Sequence, residues 1–290
     1  MLKKILVPTD FSDCATRASK VAIEIAKQSG AEICFLHTTS IPIDWVQLDT
    51  DHEKWYPDVT QEVKQKRHQL QEWVKLAQLE NVNANFYLGY NESHEHVINY
   101  IEDQGISLVV MGSHGAGGIK EFFMGSNAQK IVRQSPVPVL IIKSESSLEG
   151  FRDIIFVSDF EQENVAPFQN LVDFAEALDA RIHVVFINTP SFFNDSWEIK
   201  EKMEPFLKMA GNRLGSTEIV DSYVFEDGLD KYCDSFDSVL VAMATHGRRG
   251  LSRVFYGSLT EKIVNHCNRP LLSLKIPKEE YRSASTQYFV

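Results

Sequence analysis

The sequence predicts an α/β fold with two tandem copies of a five-stranded parallel open sheet, each with helices on both faces. Three observations lead to this prediction. Short apolar runs alternate with amphipathic segments of helical period along the 290 residues, a pattern typical of parallel sheets. The pattern of the first half starts again at Arg152. A loop of glycine and serine with the same spacing follows an apolar run in each half.

The composition is that of a globular protein, with 43% apolar and 24% charged residues. No apolar run reaches the roughly 18 residues that a membrane span needs, so we expect no membrane segment. The N-terminus runs straight into an apolar strand pattern without the features of a signal peptide, so we expect a cytoplasmic location. The net charge of −11 argues against a nucleic-acid partner, although a local nucleotide pocket is compatible with it.

The first half starts with the apolar run Lys4–Asp10, which predicts a buried strand. Ser12 or Asp13 can cap the helix that follows, and Gly30 ends it. Trp45 and its neighbours in Ile41–Pro57 predict an ordered excursion over the surface. Further strands are predicted at Ile33–His37, Asn85–Leu88, Leu108–Met111 and Pro136–Ile142, and further helices at Val59–Leu79, Glu95–Asp103 and Ser126–Arg133.

The second half repeats these landmarks in order. Asp159 and Phe160 answer Asp10 and Phe11, 149 residues earlier, whereas the second glycine loop follows the first by only 132 residues. We assign the missing residues to the excursion and to the segment before the fourth strand, because Asp221–Val241 leaves little room for a helix. The predicted division is a first domain at 1–146, a second at 150–277 and a flexible tail at 278–290.

The first glycine loop has the chemistry of an anion site. Gly112-Ser113-His114-Gly115 is followed by nine residues and then Gly125-Ser126. Glycines can take positive φ and bring backbone N–H groups close to a ligand, and a helix N-terminus attracts phosphate. The loop therefore predicts phosphate binding. A purely structural alternative stays open, in which Ser126 caps the helix and the glycines turn the chain.

The sequence offers few signs of catalysis. It contains no Walker A lysine, no G-x-S-x-G elbow and no H-E-x-x-H pair, so we expect at most slow ATP hydrolysis and assign no catalytic residue. His114 and His246 could act as a base or metal ligand, but a spacer role is favoured. We predict no metal site, and we expect Cys14, Cys34, Cys233 and Cys267 to be reduced structural thiols.

The run Met111–Gly115 through Gly125-Ser126, with Pro8–Ser12 at the first strand, resembles the nucleotide-binding branch of the universal stress protein family. That branch has the pattern G-x-x-G-x9-G-S/T, and the resemblance covers nearly the whole chain, twice. It implies a Rossmann-like fold of the adenine-nucleotide α-hydrolase type, with ATP bound across the carboxyl ends of the strands. It also implies an antiparallel pairing of the two fifth strands into an intramolecular pseudo-dimer, and a further homodimer stays open.

The function that this resemblance implies is an ATP-binding stress-response or signalling module without strong catalytic activity. AMP or ADP could replace ATP, and Mg²⁺ could accompany the nucleotide. Two alternatives remain, namely a slow ATPase or related adenine-nucleotide-hydrolysing enzyme, and a structural module that has lost nucleotide binding.

The resemblance also assigns site residues by position. In the first copy, Asp10 could accept a hydrogen bond from a ribose hydroxyl or cap the following turn. Val157 and Ala244 in the second copy replace Pro8 and Gly112, and we therefore expect weaker binding there. The nucleotide-binding residues implied for the first copy are Pro8, Asp10, Thr38, Met111, Gly112, Gly115, Gly125, Ser126 and Asn127. Those implied for the second are Asp159, Ile187, Met243, Gly247, Gly257, Ser258 and Leu259.

Overall fold

The computed structural model describes residues 2–47, 52–92, 94–113, 126–143, 151–245 and 269–277. Its strands are β1 Lys4–Pro8, β2 Glu32–Thr39, β3 Ala84–Tyr90, β4 Leu108–Gly112, β5 Val139–Ile142, β6 Asp153–Val157, β7 Arg181–Asn188, β8 Leu214–Asp221, β9 Leu240–Thr245 and β10 Leu271–Lys275. Its helices are α1 Asp13–Ser29, α2 Ile43–Gln47, α3 His52–Trp55, α4 Pro57–Leu79, α5 His94–Asp103, α6 Ser126–Gln134, α7 Val165–Ala177, α8 Ser196–Ala210 and α9 Phe225–Cys233. The predicted linker near 144–150 and the predicted tail at 278–290 lie outside the described residues.

The strands form one sheet of ten with the order β3-β2-β1-β4-β5-β10-β9-β6-β7-β8. Each half contributes five neighbouring strands that run parallel to one another. The predicted pair of five-stranded parallel sheets is therefore confirmed. Within the described ranges no helix is long and apolar enough to cross a bilayer.

The two halves meet where β5 and β10 pair antiparallel. Leu140 lies opposite Leu272 and Ile141 opposite Leu271, and all four side chains are fully buried. This pairing joins two sheets that would otherwise each end in an unpaired apolar edge strand. The pseudo-dimer implied by the family resemblance is thus present within one chain.

Helices cover both faces because the strands are apolar on both sides. Ile5 and Val7 of β1 point into one core and Leu6 into the other, and all three are fully buried. α1, α4, α7 and α8 pack on the first face, and α5, α6 and α9 on the second. Alternation along a strand thus divides the apolar runs between two helix layers.

The caps predicted for the first helix are confirmed. The hydroxyl of Ser12 accepts a hydrogen bond from the Ala15 amide at 3.2 Å, and Gly30 has a φ of 73° at the opposite end. The Gly30 amide donates to the Ala26 carbonyl, which closes the last turn. These caps fix where α1 begins, and its beginning lies beside the candidate site.

Three sequence predictions need correction. The segment before the fourth strand of the second copy does contain a helix, α9, so the shortening falls between β7 and β8. The excursion after β2 is not confined to the surface, because Ile41 and Trp45 are buried in a small core with Val63. The fifth strand also begins later than predicted, at Val139, after two prolines that lack the N–H group a ladder needs.

Candidate nucleotide site

The strand-end residues predicted for the first site lie at one edge of the sheet. Pro8 ends β1, Thr38 lies near the end of β2, and Met111 and Gly112 end β4. β1 lies between β2 and β4, and all three run parallel, so their carboxyl ends are adjacent. Ligands of open α/β sheets bind outside such strand ends. Met111 is buried, whereas Pro8 and Thr38 are half-buried.

The structural reason for a glycine at position 112 differs from the one that the sequence suggested. Gly112 does not use the positive φ that the sequence suggested for it. The reason for glycine is close packing instead. A Cβ on Gly112 would lie 2.9 Å from the backbone carbon of Cys14 and 3.1 Å from the Ala15 nitrogen. The end of β4 therefore lies directly against the N-terminus of α1.

Hydrogen bonds hold this junction in place. The amide of Ser113 and the thiol of Cys14 both donate to the carbonyl of Ile142, at 2.9 and 3.2 Å. Ser113 is fully buried, and Cys14 is 7% exposed. The start of the glycine loop is thus joined to α1 and β5, and the positive end of the α1 dipole faces the same edge.

Asp10 stands just beyond β1 on a strained turn. Phe11 has a φ of 64°, an uncommon conformation for a bulky residue. The turn is stabilised by two bonds, from the Phe11 amide to the Thr9 hydroxyl at 2.9 Å and from the Ser12 amide to the Asp10 carboxylate at 3.0 Å. The capping role that the sequence left open for Asp10 is therefore present, and its side chain is also exposed at the strand edge.

The second copy repeats this turn. Phe160 has a φ of 59°, and its amide donates to the Ser158 hydroxyl at 3.0 Å. Backbone strain of this kind is retained at few positions and is often found at ligand sites. The sequence had aligned Phe160 with Phe11, but nothing in composition or periodicity indicated the left-handed conformation.

His37 is a buried polar residue beside the site that the sequence analysis did not single out. Its Nδ1 lies 2.7 Å from the carbonyl oxygen of Thr9, and this contact links the ends of β1 and β2. Its ring packs on Phe11, with the two ring centroids 4.7 Å apart. Burial lowers the pKa of His37, although the bond to Thr9 acts in the opposite direction. The neutral ring donates to Thr9. Trp73 of α4 packs on Phe11 from the other side.

The second-copy residues within the described part of the chain occupy matching positions. Asp159 follows β6, Ile187 lies near the end of β7, and Met243 lies in β9. Ile187 and Met243 are buried, at 5% and 3% exposure, so little of either side chain faces the edge. Asp159 accepts hydrogen bonds from the protein itself, from the Glu161 amide and from the side chain of Asn164.

The remaining predictions concern the glycine loops, the cysteines and a possible metal site. Ser126 and Asn127 are the first residues of α6, so the predicted helix start is confirmed. The other predicted loop residues lie outside the described residues: Gly115, Gly125, Gly247, Gly257, Ser258 and Leu259, together with His114, His246 and Cys267. Cys14, Cys34 and Cys233 are buried. No cluster of three His, Cys, Asp or Glu side chains suited to a metal occurs among the residues described.

The strand order and the parallel pairing within each half define a tandem Rossmann-like α/β protein. A model of the universal stress protein family matches residues 1–143 and again 150–275. The chain therefore belongs to the universal stress protein family and contains two of its domains in tandem.

Individual relatives agree with this assignment. Universal stress protein YxiE of Bacillus subtilis is 32% identical over 151 residues, which are 49% of this chain and 100% of that protein. Universal stress protein Slr1230 of Synechocystis is 21% identical over 94% of this chain and 100% of its own length. The crystal structure of a universal stress protein from Archaeoglobus fulgidus has the same fold, with a TM-score of 0.74 at 18% identity, covering 94% of this chain and 98% of that one.

Proposed function

We propose that this chain is an adenine-nucleotide-binding module of stress response or signalling, and that its first copy holds the nucleotide. The observation that supports this most is the sheet edge where the carboxyl ends of β1, β2 and β4 are adjacent, with the exposed Asp10 just beyond β1. At this edge a Cβ on Gly112, which ends β4, would lie 2.9 Å from the backbone carbon of Cys14 and 3.1 Å from the Ala15 nitrogen in the first turn of α1. A phosphate chain that follows the glycine loop would meet backbone N–H groups and a helix N-terminus at this edge.

The strand ends can supply the other contacts. The backbone of Thr38, at the end of β2, would meet adenine, and Asp10 would accept a hydrogen bond from a ribose hydroxyl. Gly115, Gly125, Ser126 and Asn127 would hold the phosphates, with Mg²⁺ as an optional companion. Pro8 and Met111 would line the path between base and phosphates. His37 is neutral at this edge, so it adds no positive charge for a phosphate.

The role is binding rather than turnover. Rapid phosphoryl transfer needs a positioned base or water-orienting residue and a cation that stabilises the transition state. The described strand ends present Asp10, His37 and hydroxyl groups, and His37 already donates to the Thr9 carbonyl. We expect phosphate release close to background, and release well above background that is abolished by one loop substitution would establish an enzyme instead.

The direct test is to identify the nucleotide. The intact protein, purified gently, is examined by mass spectrometry, and ATP, AMP and GTP are then titrated by calorimetry. The proposal predicts co-purifying adenine nucleotide or saturable binding of ATP, with weaker binding of GTP. An apo protein that shows no heat of binding at millimolar ATP would overturn it.

A further inference from the structure

The two copies differ at the carboxylate that follows their first strand. In the second copy, the side-chain amide of Asn164 donates to Asp159 Oδ1 at 2.7 Å, and the Glu161 amide donates to the same oxygen at 3.3 Å. Asn164 is 5% exposed and Asp159 is half-buried, so this bond is partly shielded from water. A hydrogen bond to a carboxylate in such surroundings is among the stronger kinds.

One of these two bonds recurs in the first copy. The Ser12 amide donates to Asp10, just as the Glu161 amide donates to Asp159. The residue that matches Asn164 is Ala15, at the same offset of 149 residues that relates Asp10 to Asp159. A methyl group cannot donate, and the Ala15 amide bonds to Ser12 instead. The Asn164 bond is therefore an addition of the second copy.

Neighbouring groups of the second copy form further polar contacts near the Asp159 turn. Lys202 of α8 pairs with Glu161 at 2.9 Å, beside the Asp159 turn. At the end of β7, the Asn188 side chain accepts from the Asn194 amide at 3.1 Å and donates to Asp221 at 3.1 Å, which draws the following loop onto the strand. These bonds join the turn after β6 and the end of β7 to neighbouring parts of the protein.

We propose that Asn164 is an internal substitute for the ribose hydroxyl, and that it keeps the second copy free of nucleotide so that one chain binds one ATP. This inference rests on the proposed function of the first copy. A ribose hydroxyl that approached Asp159 Oδ1 would compete with the Asn164 amide, because that oxygen already accepts two hydrogen bonds. Losing a hydrogen bond to a charged group weakens binding by about tenfold or more.

The test counts nucleotides on the intact chain by native mass spectrometry and calorimetry with ATP. The parent is expected to bind one ATP, and Asn164→Ala or Asn164→Gly is expected to bind a second. The double variant Asp159→Ala/Asn164→Ala is expected to return to one, because the hydroxyl acceptor is gone. Asn170→Ala, an exposed change on α7, serves as the matched control and is expected to stay at one.

The reciprocal change installs the same bond in the first copy. Ala15→Asn places an amide beside Asp10 and is expected to weaken the first site by about tenfold or more. Ala15 is buried, so circular dichroism and the melting temperature must first show that this variant folds. The Asn164 variants decide the question without it.

The outcomes separate this inference from the proposed function. One ATP on the parent and still one on both folded Asn164 variants would overturn the role of Asn164 and leave the first site intact. Two ATP of similar affinity on the parent would do the same. No ATP on any variant would overturn the proposed function, and the role of Asn164 with it.

Discussion

At Gly112, a missing side chain matters for packing rather than for backbone freedom. The sequence suggested glycine there for positive φ and a close approach of the backbone to a ligand, but the structure places the backbone of Cys14 2.9 Å from where a Cβ would stand. The matching residue of the second copy is Ala244 in β9. The first helix of that copy, α7, begins differently from α1, because the 3-10 turn Gln162–Asn164 precedes it. The sequence found the right residue and the wrong reason, because close approach of two elements is a tertiary property.

A methyl group at Gly112 should destabilise the protein. Gly112→Ala must push α1 away from β4, since the nearest atoms are backbone, and we expect a loss of about 1 to 3 kcal/mol in the free energy of unfolding. Urea denaturation measures it. Ala244→Gly is the control, with an expected loss of at most about 1 kcal/mol from added backbone freedom. Equal stability of Gly112→Ala and the parent would show that the contact is not tight.

His37 should make the stability of the protein depend on pH. Its pKa is lowered in the folded state, so the unfolded chain binds a proton at a pH where the folded protein does not. The contribution of the neutral His37 ring to stability is complete above about pH 6.5, which is the pKa of histidine in the unfolded chain. This contribution is lost as the pH falls towards the pKa of His37 in the folded protein. His37→Gln can still donate to Thr9 and should show a smaller loss between pH 7.5 and pH 5. Parallel pH profiles of parent and variant, measured by urea unfolding, would contradict this account.

At the scale of elements, the excursion after β2 belongs to the core. The indole nitrogen of Trp45 donates to the Thr60 hydroxyl at 3.2 Å, and its ring packs on Tyr90 at 5.4 Å. Asn91 closes the start of the segment through two 2.8 Å bonds with the backbone of Ile41. The aromatic residues of this segment are evident in the sequence, but their burial is not. The helix α2 is only five residues long, which is too short for a helical period to show which face is buried.

The two tryptophans of this segment provide a matched pair. Trp45 is 7% exposed and Trp55 is 63% exposed. Trp45→Ala should cost about 3 kcal/mol or more through lost burial and a cavity, whereas Trp55→Ala should change stability by no more than about 0.5 kcal/mol. Urea unfolding compares them, and hydrogen exchange at α2 shows whether the loss is local. Similar effects of both variants would mean that the segment does not contribute to folding.

The strands were the most predictable elements. Runs such as Leu108–Met111 are buried on both faces, so their apolar character is nearly continuous and identifies them without any partner. The helix α9 was missed because its nine residues include three carboxylates and a glycine, which obscure its apolar face. The sequence could not show that the second copy is shortened between β7 and β8. The offsets between the two copies gave only the total number of missing residues.

At the scale of the whole molecule, the pairing of β5 with β10 makes one sheet from two copies. No periodicity in the sequence predicts an antiparallel contact between strands so far apart in the chain, and the expectation came from the family resemblance alone. The pairing removes two apolar edges, which would otherwise invite association with other chains. The buried pair Leu140 and Leu272 stands opposite at this seam.

A double-mutant cycle tests the seam. Leu140→Ala and Leu272→Ala should each cost about 2 to 5 kcal/mol, and their combined effect should depart from additivity by about 0.5 kcal/mol or more because the side chains are opposite each other. Leu36→Ala in β2, combined with Leu272→Ala, is the control and should be additive, since β2 and β10 do not pair. Strict additivity of the seam pair in urea unfolding would place Leu140 and Leu272 out of contact.

The central claim is that the first copy holds the nucleotide. Gly115→Asp and Gly247→Asp introduce the same negative charge and side chain at matching loop positions, one in each copy. Calorimetry with ATP on the two intact variants compares the copies directly. The account predicts that Gly115→Asp abolishes binding and that Gly247→Asp binds as the parent does. Full binding by Gly115→Asp, with binding lost in Gly247→Asp, would contradict it.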